Sequence, residues 1–316
     1  MAHRVIVTEE LDEAKAAWLG ERVDLVRHRF DAPGFERALA GADGLIVRTY
    51  TVVDEALLAA APRLKVVGRA GVGLDSIDVA ACRAAGVEVV HTPDANTQAV
   101  VEYVLGLLLD RFRPRTDLAA DAGDAAFFAL RKSETGVELA GMTLGILGFG
   151  RIGKRLGQAA AALGMAVVAA DVLPEQTLRA AAGDYAWDHL SQAELLERAD
   201  VVTLHADGRE ANRHMIGAAE LERLKPGALF VNAARGFLVD GAALAGWLRA
   251  NPGGSAVLDV HDPEPPPADD PLRTLPNARL LPHLASRTVV ALANMSGVVE
   301  DVDRVLRGQT PRHPAP

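Results

Sequence analysis

The sequence predicts an α/β protein with two doubly wound parallel sheets, and three observations carry that prediction. Short β-branched runs alternate with alanine-rich helical patterns along most of the chain. The alternation comes in two series, separated by an amphipathic stretch at 97–111. A glycine-rich turn follows the first strand of the second series and opens a helix.

In the first series, residues 5–8, 45–47, 65–67 and 87–90 read as buried strands, with helical patterns at 54–61 and 77–85 between them. In the second, 143–147, 166–170, 201–204, 229–232 and 256–258 repeat the strand signal. Within 97–111, Val101, Val104, Leu105, Leu108 and Leu109 share one helical face, so this segment is expected to link two domains. The polar segment 112–138 carries Phe127 and Phe128 and is expected to form a protruding arm. Proline and acid crowd 262–276, which predicts loop. One last helix is expected over 289–306, followed by a frayed Pro-rich end from Thr310.

Composition narrows the function classes. A length of 316 residues suits two domains, and 49% hydrophobic with 24% charged residues is the balance of a globular chain. A net charge of −9 argues against nucleic acid or an anionic membrane as partner. The single cysteine, Cys82, leaves no internal disulfide and no cysteine-based zinc site, so no metal is expected. Neither the start of the chain nor the uncharged stretch 159–170 matches a signal sequence or a bilayer span; a cytoplasmic location is expected.

The strongest local signal is Gly148-Phe149-Gly150-Arg151-Ile152-Gly153. One glycine makes the tight turn, a second lets backbone approach a pyrophosphate at the helix N-terminus, and a third packs helix on strand. The next strand pattern ends at Asp171, where a carboxylate accepts hydrogen bonds from a ribose 2′-hydroxyl and repels a 2′-phosphate. Turn, helix and acid together predict a Rossmann-like domain that binds NAD. Gly71-Val72-Gly73 also follows a strand but has Ser76 where a third glycine would be needed, so a second dinucleotide site is not expected.

With these motifs the sequence resembles the D-isomer-specific 2-hydroxyacid dehydrogenase family, and within it the phosphoglycerate dehydrogenase branch. The resemblance runs over nearly the whole chain: residues 45–49, 67–75, Asn96, Glu102, the glycine turn, 231–236, 258–260, Glu264-Pro265 and Pro282-His283. It implies hydride transfer at C2 of a small D-2-hydroxy acid. It assigns proton exchange to His283, the acid partnering that imidazole to Glu264, and the clamp on the substrate carboxylate to Arg235. The chemistry agrees, because imidazole titrates near ~6.5 and a guanidinium fork fits a carboxylate. Arg151, Ile152, Ala233 and Asp259 fall at the family's cofactor positions, Asp259 toward the nicotinamide carboxamide. His205 lies at the cofactor edge and is given no chemistry of its own.

The resemblance also implies that Val72 and Gly73 offer N–H groups to the substrate carboxylate, with Asn96 nearby, and that Arg48 and Arg69 hold a second anionic group such as a phosphate. It implies a discontinuous substrate domain, 1–95 with 286–316, a nucleotide-binding domain over 96–285, an active site in the cleft between them, and a homodimer. Three departures stand out: Ser76 for the usual asparagine, Asp207 for a proline in the cofactor-lining loop, and His261 for a phenylalanine. A hydroxypyruvate or glyoxylate reductase is the alternative within the family, and an NADH-sensing corepressor-like protein is the alternative from another class.

Overall fold

The computed structural model describes residues 2–316. Backbone contacts divide the chain into two units, one running through Asn96 and resuming over Ser286–Pro316, the other Thr97–Ala285.

The first unit winds through β1 (Arg4–Val7), α1 (Glu13–Gly20), β2 (Asp24–Arg27), α2 (Phe35–Leu39), β3 (Gly44–Val47), α3 (Glu55–Ala60), β4 (Val66–Arg69), α4 (Val79–Ala84) and β5 (Glu88–His91). The strands are parallel, in the order β2-β1-β3-β4-β5. Helices cover both faces, so the central strands read as unbroken apolar runs: Val5, Ile6, Leu45, Val66 and Val67 are fully buried. Asp12, Asp54 and Asp78 cap α1, α3 and α4 by accepting a backbone N–H three residues on. The edge strand β2 escaped the sequence reading because Asp24 and Arg27 at its ends are exposed and only Leu25 and Val26 give a strand signal.

The second unit begins with the long α5 (Thr97–Phe112) and the arm helix α6 (Asp124–Ser133). It then runs β6 (Thr143–Leu147), α7 (Arg151–Ala162), β7 (Ala166–Ala170), α8 (Glu175–Ala180), β8 (Asp188–His189), α9 (Gln192–Arg198), β9 (Val201–Leu204), α10 (Ala218–Leu221), β10 (Leu229–Asn232), α11 (Gly241–Ala250), β11 (Ser255–Leu258) and β12 (Ala278–Leu280). Its parallel sheet is ordered β12-β11-β10-β9-β6-β7-β8. Winding reverses between β6 and β9, and the carboxyl ends of such a pair form the crevice where doubly wound sheets receive ligands. The arm at 112–138 is helical in its middle, and α6 leaves Phe127 and Phe128 exposed.

Two expectations at the C-terminal end need correction. The expected single helix over 289–306 is broken into α12 (Val289–Ser296) and α13 (Val298–Leu306), because Gly297 bonds back three residues to Asn294 and restarts the helix axis. The break lets Val298, Val299 and Val302 bury against the first sheet, where Gly68 leaves room for Val302. The Pro-rich end is not frayed. His313 O accepts from His91 N at 3.1 Å, Ala315 N donates to Val89 O at 2.7 Å, and Pro314 bridges Val90. Buried Asp301 accepts the N–H groups of Arg312 and His313. The open edge of β5 supplied unpaired backbone groups, and proline fits an edge because its missing donor is not needed there.

Candidate active site

The glycine turn sits at the winding reversal. Gly148 holds φ +91°, and a Cβ there would lie 2.5 Å from Ala206 N, so only glycine lets the turn pass the loop after β9. Gly150 faces open space and begins α7 with no side-chain cap, leaving first-turn N–H groups for an anion. Gly153 packs against Gly148 O. Asp171, just past β7, accepts from Phe149 N at 2.6 Å and Leu173 N at 2.9 Å, which fixes its carboxylate beside the turn. A pyrophosphate with an adjoining ribose fits this arrangement: open space over Gly150, unspent N–H donors and an oriented acid. Arg151 and Ile152 form the first turn of α7.

Three loops at the carboxyl ends of β10, β11 and β12 carry the expected catalytic residues. After β10, buried Asn232 staples its own turn, accepting from Ala234 N at 3.0 Å and donating to Arg235 O at 2.8 Å. That turn presents Arg235, whose guanidinium donates to Ala234 O at 2.7 Å, and contains half-buried Ala233. At Gly236 a Cβ would strike the His261 backbone, so the missing side chain lets the arginine turn press against the loop that leads to Glu264.

Glu264 and His283 meet directly, Oε1 to Nδ1 at 2.8 Å. Burial alone would raise the Glu264 carboxyl, but the hydrogen bond and charge of His283 and a further bond from the His261 backbone hold it below the usual carboxylate value. An ionised carboxylate only accepts, so His283 Nδ1 carries a hydrogen and Nε2 is the nitrogen left to exchange a proton. The His283 backbone sits at φ +56°, which costs a non-glycine residue about 1 kcal/mol.

Asp259 holds that conformation. It is fully buried, and its oxygens accept from Tyr103 OH, Leu284 N and Ala285 N, each at 2.8 Å, while its carbonyl takes His283 N at 2.9 Å. These contacts tie Asp259 to the histidine loop; the resemblance directs it toward the nicotinamide carboxamide. Tyr103 was not singled out from the sequence; its place on the buried side of α5 was the available signal. His205 is half-buried, its Nε2 near Thr203 Oγ1 and its Nδ1 shielded from water and unpartnered, and desolvation pushes its pKa down to about 4.

In the first unit the expected residues cluster at the carboxyl ends of β3 and β4. Arg69 donates to Ala70 O and Gly73 O, both at 2.8 Å, and His91 Nδ1 lies 3.1 Å from Val72 O. Gly71 O accepts from Thr92 N. A trans peptide points N–H opposite to C=O, so holding the Gly71 and Val72 carbonyls inward turns the Val72 and Gly73 N–H groups outward. His91 and Thr92 were missed because they act on backbone. Arg48 lies 3.4 Å from Glu10, which Arg287 also contacts at 3.1 Å. Glu9 accepts the N–H groups of Arg48, Thr49, Tyr50 and Thr51 and fixes the Arg48 loop. Asn96 ends the first unit's opening segment with Oδ1 buried and unpartnered. Among the described residues, no group of three His, Cys, Asp or Glu could hold a metal ion.

Residues 105–285 match the model of the D-isomer specific 2-hydroxyacid dehydrogenase, NAD binding domain. The chain belongs to that family. It is 39% identical over 309 residues to the D-3-phosphoglycerate dehydrogenase of Mycobacterium bovis, covering 96% of this chain and 57% of the relative. The chain thus spans little more than half the length of such curated relatives. The (S)-sulfolactate dehydrogenase of Chromohalobacter salexigens is also 39% identical, over 315 residues, covering 96% of this chain and 98% of that one. Among solved structures, a Thermus thermophilus protein superposes with a TM-score of 0.84 at 33% identity, covering 99% of this chain and 100% of that one. This membership accounts for the order of the motifs, from the glycine turn through Arg235 and Glu264 to His283.

Proposed function

We propose that the chain is an oxidoreductase that transfers a hydride between NAD(H) and C2 of a small D-2-hydroxy acid carrying a second anionic group, with 3-phosphoglycerate as the first candidate. The observation that carries this reading is the 2.8 Å contact between His283 and an ionised Glu264. The nicotinamide, when bound, gives or takes the hydride. His283 Nε2 moves the proton of the C2 oxygen, Glu264 holds the imidazole in the tautomer that frees Nε2, and Arg235 clamps the carboxylate with its planar fork. The outward N–H groups of Val72 and Gly73 assist that carboxylate. Gly148, Gly150 and Gly153 take the pyrophosphate, and Asp171 takes the adenosine ribose and selects against a 2′-phosphate.

Arg48 is the proposed cation for the second anion, since its pairing with Glu10 is long. Arg69 spends two donors on the loop carrying Val72 and Gly73, so its contribution is to shape that loop. The sulfolactate relative favours a sulfonate as the second candidate anion. An assay with NADH and phosphohydroxypyruvate, sulfopyruvate, hydroxypyruvate and glyoxylate separates these readings. Turnover of the doubly charged acids is expected; turnover of glyoxylate alone would make the chain a simple reductase, and NADH binding without any turnover would make it a sensor.

The proposal extends to a homodimer, supported by the exposed Phe127 and Phe128 on α6, and to a cytoplasmic location, supported by the lone buried thiol of Cys82. Among the described residues no helix is long and apolar enough to cross a membrane. Sedimentation of the wild type against Phe128→Glu tests the dimer.

A further inference from the structure

We propose that Asp207 and Arg209 form a second determinant of cofactor choice, in which Asp207 occupies the arginine fork that would otherwise receive a 2′-phosphate. The inference rests on the nucleotide reading of the glycine turn and goes beyond the part played there by Asp171.

The loop after β9 lies against that turn, because the His205 carbonyl and Ala206 N are the nearest neighbours of Gly148. The turn therefore has Asp171 at the end of β7, hydrogen-bonded to Phe149 N, and the 205–209 loop beside Gly148. In that loop Arg209 pairs with Asp207 through both prongs, Nε to Oδ1 at 2.7 Å and Nη2 to Oδ2 at 2.5 Å. Arg209 N adds a 3.3 Å bond to Oδ1, and Asn212 Nδ2 braces the same oxygen at 3.0 Å. Pairing with Asp207 raises the Arg209 pKa, and the charge of Asp171 adds to it, so Arg209 and Asp171 feel each other's field.

Two carboxylates and the Arg209 guanidinium thus stand near the turn, and the charge of Arg235 also reaches Asp207. The guanidinium is the group that chemistry would use to hold a 2′-phosphate beside such a turn, since its fork matches phosphate as well as carboxylate. That fork cannot grip Asp207 and a phosphate with the same two prongs. Asp207 therefore excludes the phosphorylated cofactor twice, by adding negative charge and by keeping Arg209 engaged.

Calorimetry with adenosine 5′-monophosphate and adenosine 2′,5′-bisphosphate tests this without turnover. The wild type is expected to favour the monophosphate. Asp207→Ala should move the affinity ratio toward the bisphosphate by about tenfold, the equivalent of one charge-assisted hydrogen bond. Asp207→Asn, which preserves the side-chain shape, should move it in the same direction. Asp207→Ala combined with Arg209→Ala should cancel most of the gain, because the gain runs through Arg209. An unchanged ratio in both Asp207 variants, or a gain that survives loss of Arg209, overturns the inference while leaving the nucleotide reading intact. A wild type that binds neither the monophosphate nor NADH overturns the nucleotide reading itself, and this inference with it.

Discussion

The two parallel sheets present ligand-type residues at their strand ends in opposite ways. In the seven-stranded unit the candidate catalytic side chains are braced by backbone and by buried polar groups: Asn232 staples the Arg235 turn, and Asp259 pins the His283 loop. In the five-stranded unit the two arginines differ: Arg69 itself braces its loop through the Ala70 and Gly73 carbonyls, while Arg48 makes a long contact to Glu10. The seven-stranded unit thus holds its candidate residues from outside, whereas Arg69 itself holds the loop beside it. Position alone does not reveal how an arginine's donors are spent; at Arg69 two of them go to loop carbonyls.

Substitutions in each unit test that contrast. The largest effect is expected from His283→Asn, which should lower kcat by about 10³-fold while NADH fluorescence still reports binding. Normal turnover would remove the imidazole from the mechanism. Arg235→Lys should cost about 10²-fold in kcat/KM for every 2-oxo acid, because a point charge lacks the fork. In the other unit, Arg69→Ala should weaken phosphohydroxypyruvate and hydroxypyruvate alike by about tenfold, through the collapse of two loop hydrogen bonds. Arg48→Ala should penalise the phosphorylated acid selectively; the reverse pattern would exchange the two roles.

The smallest effect concerns acid stability. The Glu264 carboxyl lies below the usual carboxylate value when folded. Its pairing with His283 therefore contributes stability that is present above the unfolded value near ~4.3 and is lost as pH falls through the lower folded value. Melting curves of Glu264→Gln should run closer to the wild type at pH values below that window than above it. A constant gap across the whole range would rule out a titrating pair.

Much of the second unit was legible in the sequence, because its signals are backbone constraints. Four of its strands, 143–147, 166–170, 201–204 and 229–232, fall where the apolar runs place them, and the turn at Gly148 is dictated by a φ that few other residues accept. What the sequence did not show were short edges and long-range partners. β8 and β12 are two and three residues long, too brief for any periodicity. The link from Tyr103 to Asp259 spans 156 positions, and nothing local announces it. The C-terminal prolines look like a loosening feature in sequence, because nothing local reveals the β5 edge that receives them.

The left-handed backbone at His283 limits which residues can stand there. Asparagine enters that conformation more readily than most side chains, so an Asn variant silences the imidazole with little disturbance to the loop. A valine or isoleucine at the same position would distort the loop and displace neighbouring groups, and its inactivity would say nothing about proton transfer. At this position the informative knockout is selected by a torsion angle.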